Sequence, residues 1–242
     1  MKILLVGPSS RIRNFDHDYF EKKRKENYKI LSYSASIKYF KEIGFKPDYF
    51  SFMDPYTIGQ DMDFYEKDDF LNDIDLLIAD MYENNFQKLF SHGLTCNTFL
   101  KYKNLVYRFQ NLDFNKVFNN VHKHDLSSVD ISNEKLNYKC EFDKKAIFFS
   151  SYKKFNTDKF SCFLLPLVLY HFKEIKEIRC IGFGDLDVER CFPDPTRTDK
   201  KMIGYEDFKY SFNLLWSTIK DYLKFKKIEI IFENENYFSK VL

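Results

Sequence analysis

Apolar and polar positions along the chain fall into short alternating blocks, each a few residues long. Ile3-Leu4-Leu5-Val6 is apolar at every position, the pattern of a central parallel strand buried on both faces. Similar blocks predict strands over 28–33, 48–53, 74–80, 145–151, 178–182 and 228–232, with a further strand over 104–109. Between them the spacing predicts helices over 15–25, up to Ile43, over 61–73 as a solvated acidic helix, and over 84–91. Gly44 and Pro47 are placed to end the second of these, one as C-cap and one beyond it. The clearest stretch is 160–232. It opens with the apolar helix Phe163-Leu164-Leu165-Pro166-Leu167-Val168-Leu169-Tyr170, where Pro166 implies a kink or a later start near Leu165. The strand 178–182 follows and leads into Phe183-Gly184-Asp185-Leu186-Asp187. After a polar loop, Met202-Ile203-Gly204-Tyr205 opens a helix through Tyr222, and the strand 228–232 comes last.

Helices alternating with strands predict an α/β fold with a mostly parallel, doubly wound, Rossmann-like sheet. The pattern blurs between residues 99 and 140, where a small irregular insertion or lid is expected, with 114–121 either a strand or a helix. No repeat, low-complexity tract or linker divides the chain, so residues 1–242 are expected to form one domain.

Composition narrows the class. Hydrophobic residues make up 44% and charged residues 31%, which predicts a packed core rather than disorder. The 28 Phe and 17 Tyr accompany many Lys and Asn, the bias an AT-rich genome produces, so single aromatics carry no functional signal. A net charge of +2 supplies no global field for nucleic acid. The five cysteines, Cys96, Cys140, Cys162, Cys180 and Cys191, lack C-x-x-C spacing and read as reduced thiols of a cytoplasmic protein. No signal peptide is expected at the amino end, and the longest apolar run, 163–170, is far short of the ~20 residues a membrane span needs. Peripheral attachment to the inner face of the membrane through Lys224, Lys226, Lys227 and the aromatic carboxyl end is one option, and self-association into a homo-oligomer is another.

The candidate chemistry gathers where strands end. Gly7-Pro8-Ser9-Ser10 follows the first strand, where backbone N–H groups and hydroxyls can meet a phosphate or ribose; an ordinary βα turn with a serine cap has the same sequence. Asp54 closes the third strand, as a ligand-side carboxylate or as the start of an Asp-Pro turn. Ser151 ends the strand over 145–151. Asp185 and Asp187, two apart, can share Mg²⁺ or Mn²⁺ over the phosphates of a sugar nucleotide, or bond loop amides instead. The loop 188–203 carries Arg190, Arg197, Lys200 and Lys201 and suits either a lid closing on a phosphorylated donor or a plain surface loop. Tyr205 and Glu206 open the last helix, and Glu206 is the better general base because a tyrosine would need a strongly depressed pKa. His122 and His124 would resemble a metal pair only on a strand. No third ligand is evident, so exposed loop histidines are expected.

With those residues in view, the chain resembles the bacterial sialyltransferases of glycosyltransferase family 42 and the related motility-associated flagellin glycosyltransferases. The likeness rests on Ile3-Leu4-Leu5-Val6-Gly7-Pro8-Ser9, similar to that group's opening strand and G-P-S turn. It rests also on the helix 163–170, the step Lys176-Glu177-Ile178, the strand to Gly182 and Asp185-Leu186, and on Ile203-Gly204-Tyr205 opening the next helix. The chain departs from the group in four places. Tyr205 stands where the histidine of I-G-H takes the acceptor proton, and Val6 where an Asn precedes G-P-S. Asp187 replaces a phosphate-holding Tyr, and Phe183-Gly184 contains one additional residue.

The resemblance implies a glycosyltransferase of surface-polysaccharide or lipooligosaccharide assembly, with a CMP-linked, sialic-acid-like donor, a glycan acceptor and no required metal. Gly7, Pro8, Ser9 and Ser10 would then contact the nucleotide, with Asp54 and Ser151 as further strand-end candidates. Arg190 and Arg197 would stabilise the leaving phosphate, and Asp185 or Glu206 would act as base, with Tyr205 marking the spot. Two other readings stay open. One is a metal-dependent transferase or hydrolase using Asp185 and Asp187. The other is a catalytically silent binding protein on the same fold.

Overall fold

The computed structural model of the chain describes residues 1–52, 64, 68–79, 112–124, 164–183, 220 and 222–233. Seven strands are present among them: β1 (Lys2–Val6), β2 (Tyr28–Tyr33), β3 (Tyr49–Ser51), β4 (Asp75–Ala79), β5 (Val121–His124), β6 (Glu177–Ile181) and β7 (Glu229–Phe232). They form one sheet in the order β5-β4-β3-β2-β1-β6-β7, and every pairing is parallel. The central strand is β1. Its residues Ile3, Leu4, Leu5 and Val6 have no exposed surface, as an uninterrupted apolar block requires when helices cover both faces.

The covering helices are α1 (His17–Lys25), α2 (Ser36–Glu42), the single turn α3 (Phe114–Val117) and α4 (Leu165–His171). Leu4, Val6, Ile30 and Ile181 pack with Phe20 of α1 and with Tyr39 and Phe40 of α2. Ile3, Leu5, Leu31, Ile178 and Cys180 point the other way, against Leu165, Leu167 and Val168 of α4 and against Leu223. The alternation along each strand thus feeds two opposite cores, which makes the sheet doubly wound. α4 begins at Leu165 with Pro166 in its first turn, where a missing N–H costs nothing. Gly44 follows α2 at φ +67°, the left-handed C-cap its position predicts.

Several expectations need correction. The helix expected over 15–25 is present but starts two residues later. A 3₁₀ turn over Ser10–Asn14 comes first, Phe15 is extended, and α1 starts only after Asp16, whose carboxylate accepts the Tyr19 N–H at 2.9 Å. Of the acidic helix expected over 61–73, residues 61–63 and 65–67 lie outside the described residues and Phe64 is helical, but its end is the 3₁₀ turn Asp69–Leu71, where Leu71 and Ile74 enter the core beside β4. Residues 112–124, inside the stretch read as an insertion, form no separate body: α3 packs on Phe50 and Phe52, and β5 extends the main sheet beside β4. His122 and His124 therefore lie on a strand and not in an exposed loop. The elements expected over 84–91, 104–109 and 145–151 lie outside the described residues, as does most of the helix expected from 202 to 222.

Candidate functional site

The chain runs outward from β1 through β2, β3, β4 and β5, and returns to place β6 on the other side of β1. Such a reversal opens a crevice at the carboxyl ends of the two strands flanking it, here β1 and β6. Both strands end in glycine. The Gly7 N–H donates to the Ile181 carbonyl at 2.8 Å, and the Ser9 N–H donates to the Gly182 carbonyl at 3.4 Å. A Cβ on Gly7 would stand 2.4 Å from the Gly182 oxygen and 2.9 Å from the Phe183 ring. Gly182 itself is at φ +73°, and a Cβ there would meet the Ile12 side chain at 2.7 Å and the Gly7 oxygen at 3.0 Å. The two turns are therefore locked together.

That lock decides which groups of the turn remain for a ligand. Ser9 is buried, its Oγ accepts the Arg11 N–H at 3.3 Å, and its carbonyl accepts the Ile12 N–H at 3.1 Å. Gly7 and Ser9 thus form the floor, with both amides turned to β6, while Pro8 and Ser10 are the turn's partly exposed residues. Beside them, Ser36 Oγ lies 2.9 Å from the carbonyls of Val6 and Tyr33, accepts the Tyr33 N–H at 3.0 Å and stands 2.8 Å from Ser32 Oγ. Ser34, at φ +58°, donates its N–H to the Ser51 carbonyl at 2.8 Å. Ser51 Oγ is buried at the end of β3 and is the one buried side-chain polar atom without a hydrogen-bond partner among the described residues. The rings of Tyr33 and Phe183, 6.2 Å apart, close the space between the ends of β2 and β6. Among the described residues, the carboxyl ends of β1, β2, β3 and β6 thus present serine hydroxyls and the rings of Tyr33 and Phe183.

Beneath this end, on the α1 face, a charged cluster ties three elements together. Arg179 of β6 donates to Glu233 at 2.7 Å, to Glu177 at 3.1 Å and to the Tyr28 hydroxyl at 3.2 Å. Tyr19 of α1 donates to Glu233 at 2.8 Å, and the Tyr28 hydroxyl donates to Glu177. Burial pushes the Glu177 carboxyl up, but the hydrogen bonds from Tyr28 and Arg179 outweigh it and hold it below its ordinary range. Burial and the Glu177 contact push the Tyr28 hydroxyl up to about 12. Every member is satisfied within the cluster, which gives it the character of a structural clasp.

Of the residues singled out from sequence, Gly7, Pro8, Ser9 and Ser10 come together at the switch point, with Gly182 and Phe183 added by β6. Asp54, Ser151, Asp185, Asp187, Arg190, Arg197, Tyr205 and Glu206 lie outside the described residues. Sequence reasoning passed over Ser36 and Ser51, since a buried serine in a helix or strand leaves no pattern. It also passed over the Gly182 contact with Gly7, although a glycine closing each strand was a readable sign. No family model, no curated protein and no solved structure matches the chain.

Proposed function

We propose that this chain is a glycosyltransferase that takes a nucleotide-activated sugar, CMP-linked and sialic-acid-like, and transfers it to a glycan acceptor in bacterial surface-glycan synthesis. The observation that carries the reading is the position of the Gly7–Ser10 turn at the switch point of an all-parallel sheet, where open α/β sheets take their ligands. The nucleotide class is supported by the resemblance of this turn, and of the stretch from Phe163 to Leu186, to the sialyltransferase group.

In this reading Pro8 and Ser10 border the nucleotide, and Gly7 and Ser9 keep the floor open by admitting no bulk. Arg190 and Arg197 neutralise the departing CMP, the main source of rate when charge builds on a leaving phosphate. Asp185 or Glu206 removes the acceptor proton as its oxygen attacks the anomeric carbon, Tyr205 standing in the sequence where the resembled group has its histidine. The reaction belongs at the cytoplasmic face of the membrane. The exposed Phe225 between Lys224 and Lys226 supports a peripheral contact there, and no helix among the described residues is long and apolar enough to cross a membrane.

The test is CMP release from a CMP-activated sialic-acid-type sugar, with and without a glycan acceptor and with Mg²⁺ added or chelated. Release stimulated by acceptor and indifferent to metal is expected. Replacing the residue that serves as base, Asp185→Ala or Glu206→Ala, is expected to slow it by about 10²–10⁴-fold at an unchanged melting midpoint. Turnover that depends on the metal transfers the assignment to Asp185 and Asp187. No turnover with any donor, and variants indistinguishable from the parent in cellular glycan, would leave a silent binding protein.

A further inference from the structure

A second polar cluster lies away from the glycine turns. In the β4–β5 register, Leu77 pairs with His122 and Ala79 with His124, so both histidines stand on the face that carries Leu77. Leu77 packs in the core beneath α4, and α4 ends at His171. His124 Nε2 and His171 Nδ1 are 2.8 Å apart. The His171 ring is 4.8 Å from the His122 ring and 5.0 Å from the His124 ring, centroid to centroid. His122 Nε2 lies 3.0 Å from Asp75 Oδ2, while Asp75 Oδ1 accepts the side-chain amides of Asn119 and Asn120 at 2.8 and 2.9 Å. With Nε2 turned to Asp75, Nδ1 is the His122 nitrogen left to reach a metal. Asp75 opens β4 and His124 closes β5, so the cluster runs along the β4–β5 edge of the sheet, apart from Gly7 and Gly182, which follow β1 and β6.

We propose that His122, His124 and His171 form a binding site for a divalent transition metal of the zinc class, with Asp75 orienting His122 from behind. In the arrangement the fold displays, no three such donors among the described residues already surround one point. What stands between His124 and His171 is a proton, in an N–H···N bond. Two imidazole nitrogens on one tetrahedral zinc are about 3.3 Å apart when each bond is about 2.0–2.1 Å, so the pair must open by roughly half an ångström. Ring centroids on such an ion stand about 5 Å apart, the spacing His171 already has to His122 and to His124, so the third pair, His122 with His124, is the one the ion must draw together. The ring that yields the bridging proton takes one at its other nitrogen from solvent, so a neutral pair binds metal without net proton release. Three imidazole donors favour Zn²⁺, Co²⁺, Ni²⁺ or Cu²⁺ over Mg²⁺ and Ca²⁺, and distinguish this site from any carboxylate site at Asp185 and Asp187. The carboxylate behind His122 is the outer partner that ligating histidines regularly have.

The test is titration of the full-length, chelator-stripped chain with Co²⁺, read by visible absorption, followed by displacement with Zn²⁺. One equivalent per chain is expected, with ligand-field bands of a low-coordinate nitrogen site and no near-ultraviolet thiolate-to-cobalt band. His124→Ala and His171→Ala are each expected to weaken binding by at least about 100-fold, and Asp75→Asn by about 10–100-fold. Lys123→Ala, on the opposite face of β5, should leave affinity unchanged. The parent spectrum decides the matter even where a variant fails to fold. Absence of cobalt bands in the parent, a thiolate band, or full affinity in the His124→Ala/His171→Ala double variant would overturn the site. Nucleotide binding is read separately, so failure here leaves the transferase reading intact.

Discussion

Gly7 and Gly182 approach so closely that a methyl group on either must displace backbone. Gly7→Ala is expected to destabilise the chain by about 1–3 kcal/mol through overpacking alone. Gly182→Ala adds the strain of φ +73° to its contact with Ile12 and should cost at least as much. Denaturant midpoints of the two variants check both. The buried serines give a contrast of sign. Ser36→Ala removes the buried hydroxyl that accepts the Tyr33 N–H and lies between the Val6 and Tyr33 carbonyls, a loss of about 1–3 kcal/mol. Ser51→Ala removes a hydroxyl with no partner and should be neutral or stabilising by up to about 1 kcal/mol. Equal losses at the two positions would contradict this account of the strand ends. Neither serine was legible in the sequence, because a hydroxyl's partners are set by which backbone groups the fold leaves open.

The elements themselves were largely legible. β2 follows the predicted 28–33, and β1, β4 and β6 lie within a residue or so of their apolar blocks, because buried parallel strands leave uninterrupted hydrophobic runs. β5 escaped notice because Val-His-Lys-His has no such run; it is an edge strand, and its register comes from β4 rather than from its own pattern. The Arg179 clasp escaped for a related reason: its members come from α1, β2, β6 and the residue after β7, and only the fold brings them together. It also governs how the β6–β7–α1 packing responds to acid. Glu177 has a folded-state pKa below its unfolded value, so its contribution is present above the ordinary glutamate range and is lost as pH falls through the folded value. Glu177→Gln is expected to lower stability at neutral pH, with the gap to the parent closing below about pH 4.5. A gap that stays constant through acid unfolding would remove Glu177 from that role. Arg179→Ala leaves two carboxylates facing each other without their cation and should cost up to about 3–5 kcal/mol.

At the scale of the whole molecule, one all-parallel sheet serves both ends of the account. Its order places the Gly7–Ser10 turn and the end of β6 side by side at a topological reversal, and its far edge carries the histidines against the end of α4. The fold class was legible because alternating elements admit few topologies once crossovers are right-handed. The candidate site was legible only in its Gly7–Ser10 half. Gly182 enters that site through strand order, and strand order is a long-range property that no local pattern encodes.

The central claim is that the crevice beside Gly7 takes a cytidine nucleotide, and thermal unfolding with CMP, CDP, UDP, GDP and ADP, each with and without Mg²⁺, tests it most directly. A ligand at a hundred times its dissociation constant stabilises the folded state by about 2.7 kcal/mol, a readily measured shift in melting temperature. The account predicts a rise with CMP that is indifferent to Mg²⁺ and is lost when Ser10, at the exposed part of the turn, is replaced by a bulky residue. A rise confined to UDP or GDP with metal, or none with any nucleotide, would contradict it.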